Sequence, residues 1–148
     1  MPTDIDKRKI GQDAKLLEAM TWVTLHKIPH MYRPLWSEVT KNAGEVCDGI
    51  YEAYEIPDSL LELKINALSF SVCALRKLER RLNIANMYKV DALPDVQKAK
   101  YDIEIHKIRV KLKPWLNSLK MKQARQNSAV MSAEELIEVD VDAIQATT

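Results

Sequence analysis

The sequence predicts an all-α protein, an up-and-down antiparallel four-helix bundle. Three observations lead there. Apolar residues recur three and four apart in four successive segments, the period of one face of an α-helix. Only 3 of the 148 residues are glycine while 47% are apolar, too few turn residues for a many-stranded sandwich. The connections between segments are short and marked by proline, which favours antiparallel neighbours.

The first pattern starts near Asp13, with Leu16, Met20 and Val23 as its stripe and Leu17 and Trp22 widening it. It must stop or kink at Pro29, which has no backbone N–H to donate. The second begins at Pro34, suited to a first helical turn, and carries Val39, Ala43, Val46, Ile50 and Ala53, with Cys47, Tyr51 and Tyr54 beside them. It ends before Pro57. A third starts at Pro57–Asp58. Leu61, Ile65, Leu68, Val72, Leu75 and Leu82 follow a heptad-like spacing, and Leu60, Ala67, Ala74 and Leu78 form a second stripe. A helix apolar on two sides is packed on both, a first sign of self-association. Residues 83–94 read as a connection. The fourth pattern runs from about Pro94 to Lys120 through Tyr101, Ile105, Ile108, Leu112, Trp115 and Leu119, with Pro114 expected to bend or divide it. This organisation gives an N-terminal extension at 1–12, a bundle at 13–120 and a flexible acidic tail at 121–148. Within the tail, Ser132 and Glu135 offer a capping box for one short helix.

Several function classes find no motif. No apolar run approaches the roughly 20 residues that cross a bilayer, and the polar start MPTDIDKRKIGQ has no signal-peptide core, so a cytoplasmic protein without membrane contact is expected. There is no Gly-rich phosphate loop, no G-x-S-x-G and no Glu-x-x-His pair of the kind that builds di-metal bundles. His26 and His30 are four apart, but Pro29 interrupts the turn between them and no H-E-x-x-H glutamate accompanies them. The expectation is no metal, no cofactor and no enzymatic activity. Cys47 and Cys73 each lie among apolar residues and read as buried, unreactive thiols.

Charge is distributed unevenly beneath a net +1. Residues 37–75 carry two Lys/Arg against seven Asp/Glu, residues 76–125 fourteen against five, and residues 126–148 five acids and no base. Arg76, Lys77, Arg80 and Arg81 cluster on the third helix. Lys100, Lys107 and Lys111 share roughly one face of the fourth, with Arg109 and Lys113 spread around it. Such a surface can neutralise phosphates, with binding that weakens as salt rises. The alternative is a solvated helical surface partly paired with the acidic second helix.

The ordered pieces "HKIPHMYRPLW" at 26–36, "VCDGIYEAYE" at 46–55, "ALRKLERRLNI" at 74–84 and "KLKPWLNSLK" at 111–120 resemble the accessory variability determinant (Avd) family of diversity-generating retroelements. The likeness spans roughly residues 13–120 and leaves out the tail. It implies a four-helix bundle assembling as a barrel-like homo-oligomer, a pentamer in that family, with no catalytic site. It also implies binding to the element's reverse transcriptase and template RNA in support of mutagenic cDNA synthesis. The nucleic-acid and partner contacts carry over onto Arg76, Lys77, Arg80, Arg81, Lys100, Lys107, Arg109, Lys111 and Lys113. Two departures stand out: the chain is less basic than is usual for the family, and Lys113 and Pro114 replace the usual small residues before Trp115. The chain also resembles the four-helix-bundle proteins encoded in ribosomal RNA intervening sequences, which have no reverse transcriptase partner. Their "NIAEG"-like stretch is absent, and the equivalent region reads "GIYEAYE".

The stretch at 26–36 reads as a hinge in which Pro29 ends one helix and Pro34 starts the next. Ile28, Met31, Leu35 and Trp36 are expected to close one end of the core, with Lys27, His30 and Arg33 outside. Pro29, Arg33, Pro34, Trp36 and Trp115 are the structural or intersubunit candidates.

Overall fold

Among the described residues, four α-helices in cyclic contact build the bundle. The computed structural model describes the backbone of residues 4–87 and 93–146 and the side chains of 9–87 and 93–134. The helices are α1 (Asp4–Lys27), α2 (Arg33–Glu55), α3 (Leu61–Met87) and α4 (Asp95–Ala146), and there is no strand among the described residues. Each helix packs on two others in the order α1–α2–α3–α4 and back to α1. Contacts across each pair run in opposite sequence directions, so neighbours are antiparallel. Asp13 meets Lys111 and Met20 meets Tyr101 across α1 and α4. Val46 meets Ser71 and Asn42 meets Arg81 across α2 and α3.

The buried face of α1 is not the one its apolar residues suggest. Leu16 and Val23 are 51% and 54% exposed, while Ile10, Ala14, Leu17, Thr21, Thr24 and Ile28 point inward. The two threonines hide this face in the sequence. Each satisfies its hydroxyl on a carbonyl of its own helix, Thr21 on Glu18 (2.6 Å) and Thr24 on Met20 (3.1 Å), which removes most of the cost of burial. α1 also begins at Asp4 rather than near Asp13, and Ile10 is fully buried, so the bundle takes in part of the expected extension at 1–12.

At the hinge, α1 ends at Lys27, a 3₁₀ turn spans His30–Tyr32, and Pro34 sits in the first turn of α2. Ile28 and Trp36 are buried and Leu35 packs against the core, but Met31 is 75% exposed and closes nothing. Lys27, His30 and Arg33 are outside. α3 starts at Leu61, not at Pro57–Asp58. The preceding residues form a turn closed by Leu60 N–H on the Pro57 carbonyl, with Asp58 accepting a hydrogen bond from the buried Lys64 ammonium at 2.6 Å. Its second stripe holds for Ala67, Ala74 and Leu78, whereas Leu60 is exposed. α3 continues to Met87 and buries Ala85, so the connection is shorter than 83–94; residues 88–92 lie outside the described residues.

α4 passes through Pro114 without interruption and extends to Ala146, where the sequence predicted a boundary at 120 and a separate short helix. No glycine or proline follows Pro114 to stop it. At 52 residues against 23 in α2, α4 is about 78 Å long against about 35 Å, and it outruns the bundle.

Two aromatic clusters and one close backbone approach fix the packing. The Trp36 indole N–H donates to the Thr21 carbonyl at 2.9 Å, and its ring meets Tyr101 edge-on at 6.1 Å. The Tyr101 hydroxyl donates to the Met20 carbonyl at 3.0 Å and lies 2.7 Å from Thr24 Oγ1. Toward the other end, Trp115 stacks on Tyr54 at 5.5 Å, and Tyr54 meets Tyr51 edge-on at 5.7 Å. Between α2 and α3, a Cβ on Gly49 would sit 2.0 Å from Ser71 Oγ and 2.6 Å from the Ala67 carbonyl oxygen. The Ser71 hydroxyl occupies that space and donates to the Val46 carbonyl at 2.9 Å.

Gly49→Ala is therefore expected to destabilise the protein by about 1–3 kcal/mol in urea unfolding, the usual cost of forcing a methyl into a filled interior. Removing the hydroxyl by Ser71→Ala does not rescue it, because the Ala67 backbone oxygen remains in the way. Trp36→Phe is expected to cost about 2–3 kcal/mol, since it deletes the indole hydrogen bond to Thr21 and leaves a cavity where the larger ring was buried.

Candidate nucleic-acid and partner surface

The nine basic residues singled out from the sequence fall into two groups. The first is tied into the fold. Arg81 Nη1 donates to Asn42 Oδ1 at 2.5 Å, with Nη2 3.9 Å from Glu38. Arg109 pairs with Glu79 across α3 and α4, and Lys111 holds Asp13 of α1 at 2.9 Å. Lys107 lies 3.6 Å from the buried carboxylate of Glu104, one turn before it. These charges link neighbouring helices or one helix to itself, and their carboxylates offset them locally.

The second group is free to meet a partner. Arg76, Lys77, Arg80, Lys100 and Lys113 are exposed and have no ion-pair partner among the described residues. Helical spacing puts Lys77, Arg80 and Ile84 three and four apart, continuing Phe70 and Cys73 along the outward face of α3. Arg76 turns toward α4, where it joins Arg109 and Lys113 along a narrow groove floored by Val72, Leu75 and Leu112. Lys100 stands apart near the start of α4, so the structure does not gather all nine positions on one face.

The opposite character belongs to α2, whose outward positions Glu38, Asp48, Glu52 and Glu55 are exposed acids. α2 also carries none of the exposed large apolar side chains; those lie on α1, α3, α4 and the connections. Lys122 and Arg125 extend the positive charge along α4, where they line a shallow cleft with Pro114, Asn117, Ser118 and Met121. The sequence reading missed them because it ended the helix at 120; the run of helix-forming residues after Trp115 was the available signal.

Continuity of α4 also changes the relation between the acidic tail and the basic surface. Arg76 lies level with Leu112 and Lys113, and the first tail acid, Glu134, is more than 20 residues further along α4. That separation is about 30 Å along the axis, nearly four Debye lengths at physiological salt. Glu134 therefore exerts little pull on Arg76 and Lys113 of its own chain, while Arg125, nine residues before it, lies much nearer.

Of the two cysteines, Cys47 meets the expectation of a buried thiol and Cys73 does not. Cys47 is buried, and burial together with a hydrogen bond to Glu18 and the Glu18 and Asp48 charges pushes its thiol up to about 12. Cys73 is exposed, because it falls on the outward face of α3. Among the described residues no three His, Cys, Asp or Glu side chains converge as a metal site. No helix is long and apolar enough to cross a membrane among them.

Two outcomes test this sorting. Arg80→Ala should change unfolding free energy by less than about 0.5 kcal/mol, as an exposed substitution does, whereas Arg81→Ala should cost about 1 kcal/mol through its lost hydrogen bond to Asn42. Iodoacetamide at pH 8 should alkylate Cys73 in dilute native protein and reach Cys47 only on unfolding, since a thiol titrating near 12 holds almost no thiolate there. Neither a protein family, nor a curated protein, nor a solved structure matches this chain.

Proposed function

We propose that this chain is a non-catalytic accessory subunit of a diversity-generating retroelement. In this reading it binds the element's reverse transcriptase and template RNA in the cytoplasm, associates with itself as a barrel-like homo-oligomer, and supports mutagenic cDNA synthesis. The ordered sequence pieces that resemble the Avd family motivate the reading, and the four-helix architecture is compatible with it. The observation that carries it is the exposed, unpaired trio Arg76, Lys77 and Arg80, with Lys113 across the groove. A flank of unneutralised cations beside apolar side chains suits a phosphate backbone, whose counterions are released on contact.

One observation favours a second reading, an oligomeric scaffold of the ribosomal intervening-sequence type. Arg81, Arg109 and Lys111 are used to join helices, as expected of charges that set packing rather than recognition.

Salt titration of single-stranded RNA binding separates the two. Replacing Arg76, Lys77 and Arg80 by glutamine should weaken binding and flatten the log–log salt slope by about 2, at roughly 0.7 per lost phosphate contact. An unchanged slope removes this surface from the assignment. Co-expression with a reverse transcriptase encoded beside the gene, followed by native mass determination, should yield a stable complex. A competent polymerase that leaves the chain behind favours the scaffold.

A further inference from the structure

The outward face of α3 and the far end of α4 are complementary in charge, in apolar spacing and in length. On α3, Phe70, Cys73, Lys77, Arg80 and Ile84 follow one another at intervals of 3, 4, 3 and 4, all exposed, with Arg76 beside them. Phe70 and Ile84, 47% and 41% exposed, give this face an apolar contact at each end and positive charge between. In α4, every residue from Ala124 to Glu134 is exposed, so the helix there has left the bundle. The sequence of this arm spaces Val130, Ala133, Ile137, Val141 and Ile144 by 3, 4, 4 and 3, and 126–148 holds five acids and no base. That is the composition of an amphipathic acidic helix, and such a helix seeks an apolar groove with basic neighbours. In both stretches the first and last apolar positions are 14 steps apart in sequence, about 21 Å as helix.

The arm cannot reach this face on its own chain. α4 packs antiparallel beside α3, so Arg76 already lies level with Leu112 and Lys113. As one continuous helix, the arm leads away from that level. Two arms are poor partners for each other, because each brings five acids and no base.

We propose that the occupant is a second copy of this chain: the acidic arm of one copy docks along the Phe70–Ile84 face of α3 in another. The contact is heterologous, one surface against a different one, so successive copies can link head to tail. It also covers Arg76, Lys77 and Arg80, so the arm competes with nucleic acid in trans. That competition rests on the proposed function; the docking does not.

Cys73 sits within the face and reports on it without RNA. Its alkylation in the full-length protein should slow as protein concentration rises, and salt should remove the protection, because the contact is largely electrostatic. The full-length variant Glu134→Lys, Glu138→Lys, Asp142→Lys should lose the protection at every concentration. Combining it with Arg76→Glu, Lys77→Glu and Arg80→Glu should restore it. In Ala133→Cys protein, mild oxidation should join residue 133 of one copy to Cys73 of another, read by peptide mapping. Concentration-independent alkylation overturns the proposal, and so does protection that survives arm charge reversal. Self-association that persists without Cys73 protection also overturns it while leaving the proposed barrel intact. RNA affinity of the arm-reversed variant tests the nucleic-acid reading separately.

Discussion

The bundle closes because α1 offers backbone carbonyls where its neighbours offer aromatic donors. Trp36 of α2 reaches the Thr21 carbonyl and Tyr101 of α4 reaches that of Met20, so adjacent residues on one helix are gripped from both sides. The two rings touch edge-on, which couples α2 to α4 behind α1. Buried donors without acceptors would cost far more than the pairs contribute, so this arrangement allows few alternatives to the observed rotation of α1. That rotation decides the rest of its surface: with Thr21 and Thr24 inward, Leu16 and Val23 must face out.

A second fixed point lies between α2 and α3. Gly49 lets the helix backbones approach until Ser71 fills the gap and bonds the Val46 carbonyl. This contact sets the register that brings Asn42 level with Arg81. The chemistry of an arginine at the bundle surface is thus tied to a glycine 32 residues earlier in the chain. Arg80, one residue earlier and rotated by 100°, escapes every such partner among the described residues.

Charge consequently divides by role more than by helix. Cations level with a carboxylate on the neighbouring helix join the fold, as Lys111 does with Asp13 and Arg109 with Glu79. Cations on the outward arc stay available, and on α3 they lie between Phe70 and Cys73 on one side and Ile84 on the other. The acidic outer face of α2 lies on the adjacent helix, so the molecule presents oppositely charged flanks around one axis. The proposed recognition of nucleic acid and the proposed docking of the arm draw on this same division.

The amino-acid pattern alone reveals four helices, the break and restart of the chain at Pro29 and Pro34, and the apolar stripe that α2 and the bundle part of α4 turn inward. In those two helices the apolar residues at strict 3–4 spacing, from Val39 to Ala53 and from Tyr101 to Leu119, all point inward, so periodicity reveals the face, though not the buried Thr40, Asn42 and Glu104 beside it. Tertiary structure decided what periodicity cannot carry. The face of α1 was hidden because its inward threonines are satisfied by their own helix, and Ile10 was hidden in a charged leader. The sorting of basic residues into paired and free was equally illegible, since it depends on which carboxylate of another helix stands level with each one. Local pattern records what a residue prefers; its partner across the bundle is set by packing over 30 to 98 residues of separation, as for Glu79 with Arg109 and Asp13 with Lys111.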